Sequence, residues 1–87
     1  MASYRISWKR AALKEVQRLP KQTVTRVVKV VEALAENPYP SGVKKLIGAE
    51  TVYRVRVGNY RIIYSVETTN LVVEIIRVRH RSRAYRA

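Results

Sequence analysis

Arg54, Arg56, Arg61, Arg81 and Tyr85 are the side chains of this sequence whose types and spacing could do chemistry. They fall in two short stretches, Tyr53-Arg54-Val55-Arg56-Val57-Gly58-Asn59-Tyr60-Arg61 and Val78-Arg79-His80-Arg81-Ser82-Arg83-Ala84-Tyr85. Gly58-Asn59, set between runs of β-branched and aromatic residues, reads as a two-residue hairpin turn. Such a turn predicts Val57 opposite Tyr60, Arg56 opposite Arg61, Val55 opposite Ile62 and Tyr53 opposite Tyr64. One face of the hairpin is then apolar throughout. The other gathers Arg54, Arg56 and Arg61, with two like charges directly opposed, which works against folding. A face that costs stability in this way points to a ligand dense in negative charge, such as a nucleic-acid backbone, which turns the repulsion into binding.

The composition narrows the classes further. At 87 residues the chain makes a single domain, spanning 1–87, with one core; roughly 60–65% of the unfolded surface is buried at that size, so every large apolar side chain counts. There is no cysteine and one histidine, which excludes a disulfide framework, a thiolate metal site and the usual histidine clusters. No apolar run of about 18–20 residues and no charged-then-apolar leader is present, so neither membrane spanning nor export is expected, and the cytoplasm is the expected setting. The formal net charge of +12, from 18 Lys+Arg against 6 Asp+Glu, predicts affinity for RNA, DNA or an acidic protein.

Along the chain the expected order is strand, helix pair, loop and three strands. Tyr4, Ile6 and Trp8 alternate with Arg5 and Ser7 as in a half-buried strand. Ala12, Leu13, Val16 and Leu19 share a helical face over Lys9 to Leu19, and Pro20 ends that helix or opens the next. Val24, Val27, Val28, Val31, Leu34 and Ala35 keep the helical period, which is taken over the strand preference of valine. Asn37-Pro38-Tyr39-Pro40-Ser41-Gly42 stops the second helix, and the stretch to Glu50 reads as an ordered loop with Val43, Leu46 and Ile47 tucked down. Strands follow from Thr51 to Val57, Tyr60 to Val66 and Leu71 to about Val78. A four-residue turn at Glu67-Thr68-Thr69-Asn70 predicts Tyr64 opposite Val73, Ile62 opposite Ile75 and Arg61 opposite Ile76. Tyr53, Val55, Ile62, Tyr64, Val73 and Ile75 then lie against the helices. The other face mixes Arg54, Arg56, Arg61, Ile63, Glu74 and Ile76 and so expects a partner. The fold class is α+β: an N-terminal strand, a two-helix hairpin packed on an antiparallel sheet, and a C-terminal three-stranded meander.

This order of elements, together with the stretches at 53–64 and 78–85, resembles the RelE branch of the RelE/ParE toxin superfamily, the toxin halves of bacterial type II toxin–antitoxin pairs. The resemblance covers essentially the whole chain and implies the RelE-like microbial RNase fold. It implies a ribosome-dependent endoribonuclease, an mRNA interferase, that cuts translated messenger RNA in the decoding site and is neutralised by an acidic, RelB-like antitoxin in a hetero-oligomer. By the same resemblance, Arg54 and Arg56 stand at the scissile phosphate, Arg61 holds that phosphate, Arg81 lies near the leaving oxygen, and Tyr85 stands beside the attacked nucleotide.

The residue types suit that chemistry. RNA is cut without metal or cofactor when the ribose 2′-hydroxyl attacks its own 3′ phosphate; the enzyme aligns the attack, stabilises a phosphorane richer in negative charge, and moves protons. Planar guanidinium forks bind phosphate oxygens bidentately and serve the second need. Proton transfer is less well supplied. Relatives often carry lysine at one of the strand positions held here by Arg54 and Arg56, which leaves Tyr85 or His80 as candidate base. A lone histidine without an orienting carboxylate reads more readily as a structural or phosphate-side residue, and His80, Arg79 and Arg83 are placed in substrate binding. Trp8, Tyr53, Tyr60 and Tyr64 read as core. A ParE-like poison of DNA gyrase and a non-enzymatic RNA-binding module remain as other functions for the same scaffold.

Overall fold

The computed structural model describes residues 3–46, 48 and 50–82. Its elements are β1 (Arg5–Trp8), α1 (Arg10–Gln17), α2 (Lys21–Glu36), β2 (Lys44–Lys45), β3 (Val52–Val57), β4 (Tyr60–Glu67) and β5 (Val72–His80). The strands form one five-stranded sheet in the order β1-β5-β4-β3-β2. The α+β class and the C-terminal meander stand as expected. Two additions complete the sheet at its edges. β1 joins β5 in parallel, Ile6 against Val73, so the sheet is mixed at that edge. β2 arises inside the stretch expected to be loop, pairing Lys44 with Arg54 and Lys45 with Tyr53. Two residues are too few to show a period, which is why this strand is silent in the sequence. Around it Val43 and Leu46 are half-buried as expected, and Ile47 lies outside the described residues.

Pro20 stands at the N-terminal flank of α2, where its missing N–H costs no helical bond and its φ of −56° suits the entry. The valines of α2 are helical because one face is needed by the core: Val27, Val31 and Leu34 are buried, while Val28 lies on the exposed side. The helix stops at Asn37, whose extended backbone and side-chain oxygen, accepting the Tyr39 N–H at 3.0 Å, divert the chain before Pro38. In α1, Ala12 and Val16 are buried and Leu13, expected on the same face, is exposed. No helix among the described residues is long and apolar enough to cross a membrane.

The β3–β4 hairpin has the expected register throughout. Gly58 takes a φ of +59° while Asn59 stays out of the positive region, the sign pattern of a type II′ turn, in which glycine suits the first central position. The β4–β5 register differs from expectation. Glu67 remains in the strand opposite Val72, because its carboxylate accepts the N–H groups of Thr69 and Asn70 at 2.9 and 2.7 Å and moves the turn one residue on. Leu71 closes that turn at a φ of 55°, which the sequence does not advertise for a leucine. Tyr64 therefore faces Ile75 in place of Val73. A bulge follows: Tyr64 pairs with Ile75 but Ile63 with Arg77, so Ile76 is an extra residue on β5. Beyond it Ile62 faces Val78, where Ile75 was expected, and Arg61 faces Arg79, where Ile76 was expected. β5 also runs on to His80.

The core lies between the helices and the inner face of the sheet, with Ile62, Tyr64, Val73, Ile75 and Val78 packed under Val27, Val31 and Leu34. Tyr64 is fully buried, stacks on Tyr53 with ring centroids 6.1 Å apart, and donates its hydroxyl to the Pro38 carbonyl at 2.7 Å. This bond ties the end of α2 to the middle of the sheet. Burial, then the neighbouring Tyr53 and Tyr39 phenols, push the Tyr64 pKa well above that of an ordinary tyrosine. Tyr64→Phe is expected to lower the unfolding free energy by about 1–2 kcal/mol, because the Pro38 carbonyl loses its donor. The phenol's folded pKa lies above its unfolded value, so its contribution is complete below about pH 10 and fades as pH rises toward the folded value. Denaturant titrations of both proteins on either side of that pH check it; a stability difference unchanged at high pH rejects the assignment.

Candidate phosphate-binding site

The outer face of the sheet carries the arginines. Arg54, Arg56 and Arg61 line one pocket of about 190 Å³ together with Gly42 and Lys44. Each is placed by strand alternation and register: Arg54 and Arg56 are two apart on β3, and Arg56 is directly opposite Arg61 on β4. Local bonds orient them. Arg56 Nε donates to the Gly58 carbonyl at 2.9 Å, so the hairpin turn braces the side chain that precedes it. Arg61 Nη1 donates to the Arg81 carbonyl at 3.1 Å, and the Arg81 N–H donates to the Asn59 carbonyl at 2.7 Å. The chain after β5 is thereby docked on the β3–β4 turn, and Arg81 is held beside Arg61. Arg26 reaches the same turn from α2: a Cβ on Gly58 would meet its Nη1 at 3.2 Å.

The electrostatics follow from that convergence. Partial loss of solvent, then the charges of Arg54, Arg56 and Arg81, lower the pKa of Arg61. An arginine remains protonated at neutral pH even so, and the part of the shift that the neighbouring charges add to the loss of solvent is repulsion among the guanidinium groups. An anion placed among them would be drawn by all of them at once.

The other candidates are placed differently. Arg79 is opposite Arg61 by register, yet its Nε donates to Glu15 Oε2 at 3.1 Å. Glu15 also accepts the Val78 N–H at 2.8 Å and lies 3.5 Å from Arg77 Nη1. It takes up the edge of β5 just past the end of β1, where Lys9 N–H makes the last backbone bond to Ile75. His80 is opposite Tyr60, edge-on to its ring at 5.5 Å, and both line a hollow of about 520 Å³ with Glu15, Arg18, Leu19, Val78 and Arg79. Alternation puts Tyr60 and His80 on the side facing the helices, across the sheet from Arg56 and Arg61. Its Nδ1 accepts the Ser82 N–H at 3.3 Å. Tyr60, expected in the core, is half-buried beside that hollow, whereas Trp8 and Tyr53 pack on the core and Tyr64 lies within it. Arg83 and Tyr85 lie outside the described residues.

The structure thus brings Arg54, Arg56, Arg61 and Arg81 together and sets His80 and the Arg79 Nε apart. Sequence reasoning missed Lys44, which enters the pocket only because β2 pairs with β3. It also missed Glu15, whose one signal is a carboxylate next to the apolar stripe of α1. Inorganic polyphosphate is expected to raise the melting temperature at constant ionic strength, because it relieves the repulsion among these groups. The double variant Arg56→Gln/Arg61→Gln should show a much smaller rise; an equal rise in the variant would place the anion elsewhere on this basic surface.

Residues 6–85 match the model of the family described as the ParE toxin of type II toxin–antitoxin systems, parDE. The chain is 31% identical over 84 residues to toxin RelE of Mycobacterium tuberculosis, covering 95% of this chain and 87% of that protein. Among solved structures, it is similar to a chain of the archaeal RelE–RelB complex from Pyrococcus horikoshii, with a TM-score of 0.83 at 34% identity over 94% of this chain and 99% of that one. The isolated RelE toxin of Escherichia coli matches with a TM-score of 0.81 at 26% identity, over 95% of this chain and 89% of that one. A pocket walled by strand arginines, on a fold and sequence shared with these toxins, places the chain: it belongs to the RelE/ParE toxin superfamily, in its RelE-like branch.

Proposed function

We propose that this chain is the toxin of a type II pair and acts in the cytoplasm as a ribosome-dependent endoribonuclease on translated messenger RNA. The convergence of Arg54, Arg56 and Arg61 on one pocket, with Arg81 held beside Arg61, carries the reading. A phosphodiester seated there is attacked by the neighbouring 2′-hydroxyl, giving a 2′,3′-cyclic phosphate and a free 5′-hydroxyl. Arg54, Arg56 and Arg61 bind the scissile phosphate. Because the phosphorane carries more negative charge than the ground-state diester, the same guanidinium groups bind it more tightly, which is the differential binding that lowers a barrier. Arg81 stabilises charge on the departing oxygen and Tyr85 stands beside the attacked nucleotide. The ribosome presents the message in the bent, unpaired form that in-line attack requires.

The family description names ParE, so poisoning of DNA gyrase is the second reading. A gyrase poison has no need of a pocket walled by opposed arginines, whereas a nuclease uses one to bind a phosphodiester. Expression of the chain alone should arrest growth with cuts inside translated codons, mapped by primer extension. A DNA-damage response with intact messages would support the gyrase reading, and neither outcome would leave an RNA-binding module.

On programmed ribosomes, Arg61→Ala or Arg81→Ala should slow cleavage about a hundred- to a thousandfold, the usual effect of losing one donor to a developing oxyanion. Ribosome binding should fall much less, since many other cations remain. Tyr85→Phe with near-normal cleavage would mean that the hydroxyl is neither base nor required hydrogen-bond partner. His80→Gln should cost less than Arg81→Ala; the reverse order would restore His80 as the base.

The partner on this reading is an acidic antitoxin segment, disordered alone, that folds on the toxin. Similar solved structures include the RelE–RelB complex from Pyrococcus horikoshii and the toxin–antitoxin complex RelBE2 from Mycobacterium tuberculosis. The segment's carboxylates would meet the arginines, and its apolar side chains would cover surface such as Leu13 and Val28, 44% and 36% exposed. Once formed, the complex should survive high salt, because apolar burial and not charge holds it. Pull-down from the host followed by salt titration checks this; dissociation at moderate salt, or the absence of a small acidic partner, rejects it.

A further inference from the structure

The arginines of the pocket can bind and neutralise phosphate but stay protonated, so among them the 2′-hydroxyl proton has no acceptor. His80 stands across the sheet. Among the described residues that line the pocket, one side chain is able to hold or release a proton, and it is Lys44. The β2–β3 pairing sets Lys44 directly opposite Arg54, so the two share a face; Arg56, two residues on from Arg54, shares it too and faces Arg61. Arg61 in turn reaches the Arg81 carbonyl. The row therefore runs from Lys44 through Arg54, Arg56 and Arg61 to Arg81. Displacement at phosphorus puts the attacking and leaving oxygens on opposite sides, roughly in line. With Arg81 beside the leaving oxygen, the attacking oxygen belongs at the Lys44 end.

The geometry points to Lys44 as the residue that accepts the proton of the attacking 2′-hydroxyl, an inference that rests on the nuclease reading. The Lys44 Nζ lone pair takes that proton while O2′ forms its bond to phosphorus. The bond from phosphorus to O5′ breaks, its electron pair stays on O5′, and O5′ takes a proton from water beside Arg81. The Lys44 ammonium then returns its proton to solvent. Among the described residues, the charged groups that share the pocket with Lys44 are Arg54 across the strand pair and Arg56 and Arg61, all cations. Lys45 is the internal control: it carries the same charge on the same strand but pairs with Tyr53, and so belongs to the opposite face.

The test is single-turnover cleavage of message on programmed ribosomes, at saturating protein and across the pH range in which ribosomes stay intact. Lys44→Arg keeps the charge and removes the base. It should bind ribosomes as the wild type does, cleave about a hundredfold or more slowly, and lose the rise of rate with pH. Lys45→Arg should cleave at the wild-type rate. Because the sequence contains no cysteine, Lys44→Cys creates a unique thiol that 2-bromoethylamine converts to a thioether analogue of lysine. That amine is more acidic than lysine's, so activity should return with its pH profile displaced to lower pH. Circular dichroism and melting of each variant monitor folding. A wild-type rate and profile in Lys44→Arg overturns the assignment, and so does a loss that aminoethylation does not restore. Uncut message with bound wild-type protein overturns the nuclease reading itself, an outcome distinct from both.

Discussion

Mutual repulsion among Arg54, Arg56, Arg61 and Arg81 is the constraint to which the rest of the molecule answers. Arg56 is opposite Arg61 in the ladder, and loss of solvent, then the charges of Arg54, Arg56 and Arg81, lower the Arg61 pKa. Like charges so arranged would splay an isolated hairpin. The same strands hold the opposing term on their other face, where Val55, Ile62, Tyr64, Val73 and Ile75 are buried under α1 and α2. Because alternate side chains point to opposite faces, one backbone register fixes both sets. A slip of one residue would expose the core and bury the arginines, so packing the core also aims the site.

The end of β5 shows how local devices refine that coupling. An unbroken ladder continued from the Tyr64–Ile75 pair would have placed Val78 opposite Arg61, on the outer face. The bulge at Ile76 changes the phase, sends Val78 into the core, and puts Arg77 and Arg79 on the outer face. Those additional charges are then compensated: Glu15 reaches from α1, pairs with both arginines, and accepts the Val78 N–H that β1 leaves open. Arg79 is thus engaged by a carboxylate that the sequence separates from it by most of the chain. An incoming anion would therefore have to compete with Glu15 for the Arg79 Nε.

Most of this was legible in the sequence. The helical period of the valines in α2 overrode their propensity because a buried face outweighs a few tenths of a kcal/mol per residue. Gly58-Asn59 set the β3–β4 register, and with it the relation of Arg54, Arg56 and Arg61. The misses have local causes. Glu67 binding its own turn and Leu71 at positive φ moved the β4–β5 register, and neither is written in alternation or composition. β2 is too short to carry a period, so Lys44 stayed hidden until its partner strand was in place. His80 shares a motif with Arg81, yet alternation and the turn after β5 send the two to different places. Sequence proximity says nothing about face.

Charge and burial together account for the chemistry assigned to this surface. Free cations in water bind a diester and its phosphorane with little discrimination, because solvent reorganises to follow either. A fixed row differs: Arg56 is tied to Gly58, and Arg61 to the Arg81 carbonyl, so the donors are already oriented before an anion arrives. The cost of gathering them was met during folding by the apolar face behind them, and it is recovered most fully by the species that carries most charge. On the proposed reading that species is the phosphorane. The same reasoning separates recognition from reaction: arginines can supply nearly all of the binding and none of the proton transfer. A site of this kind therefore stays incomplete until a titratable group stands at the attacking end, the place that the β2–β3 pairing gives to Lys44.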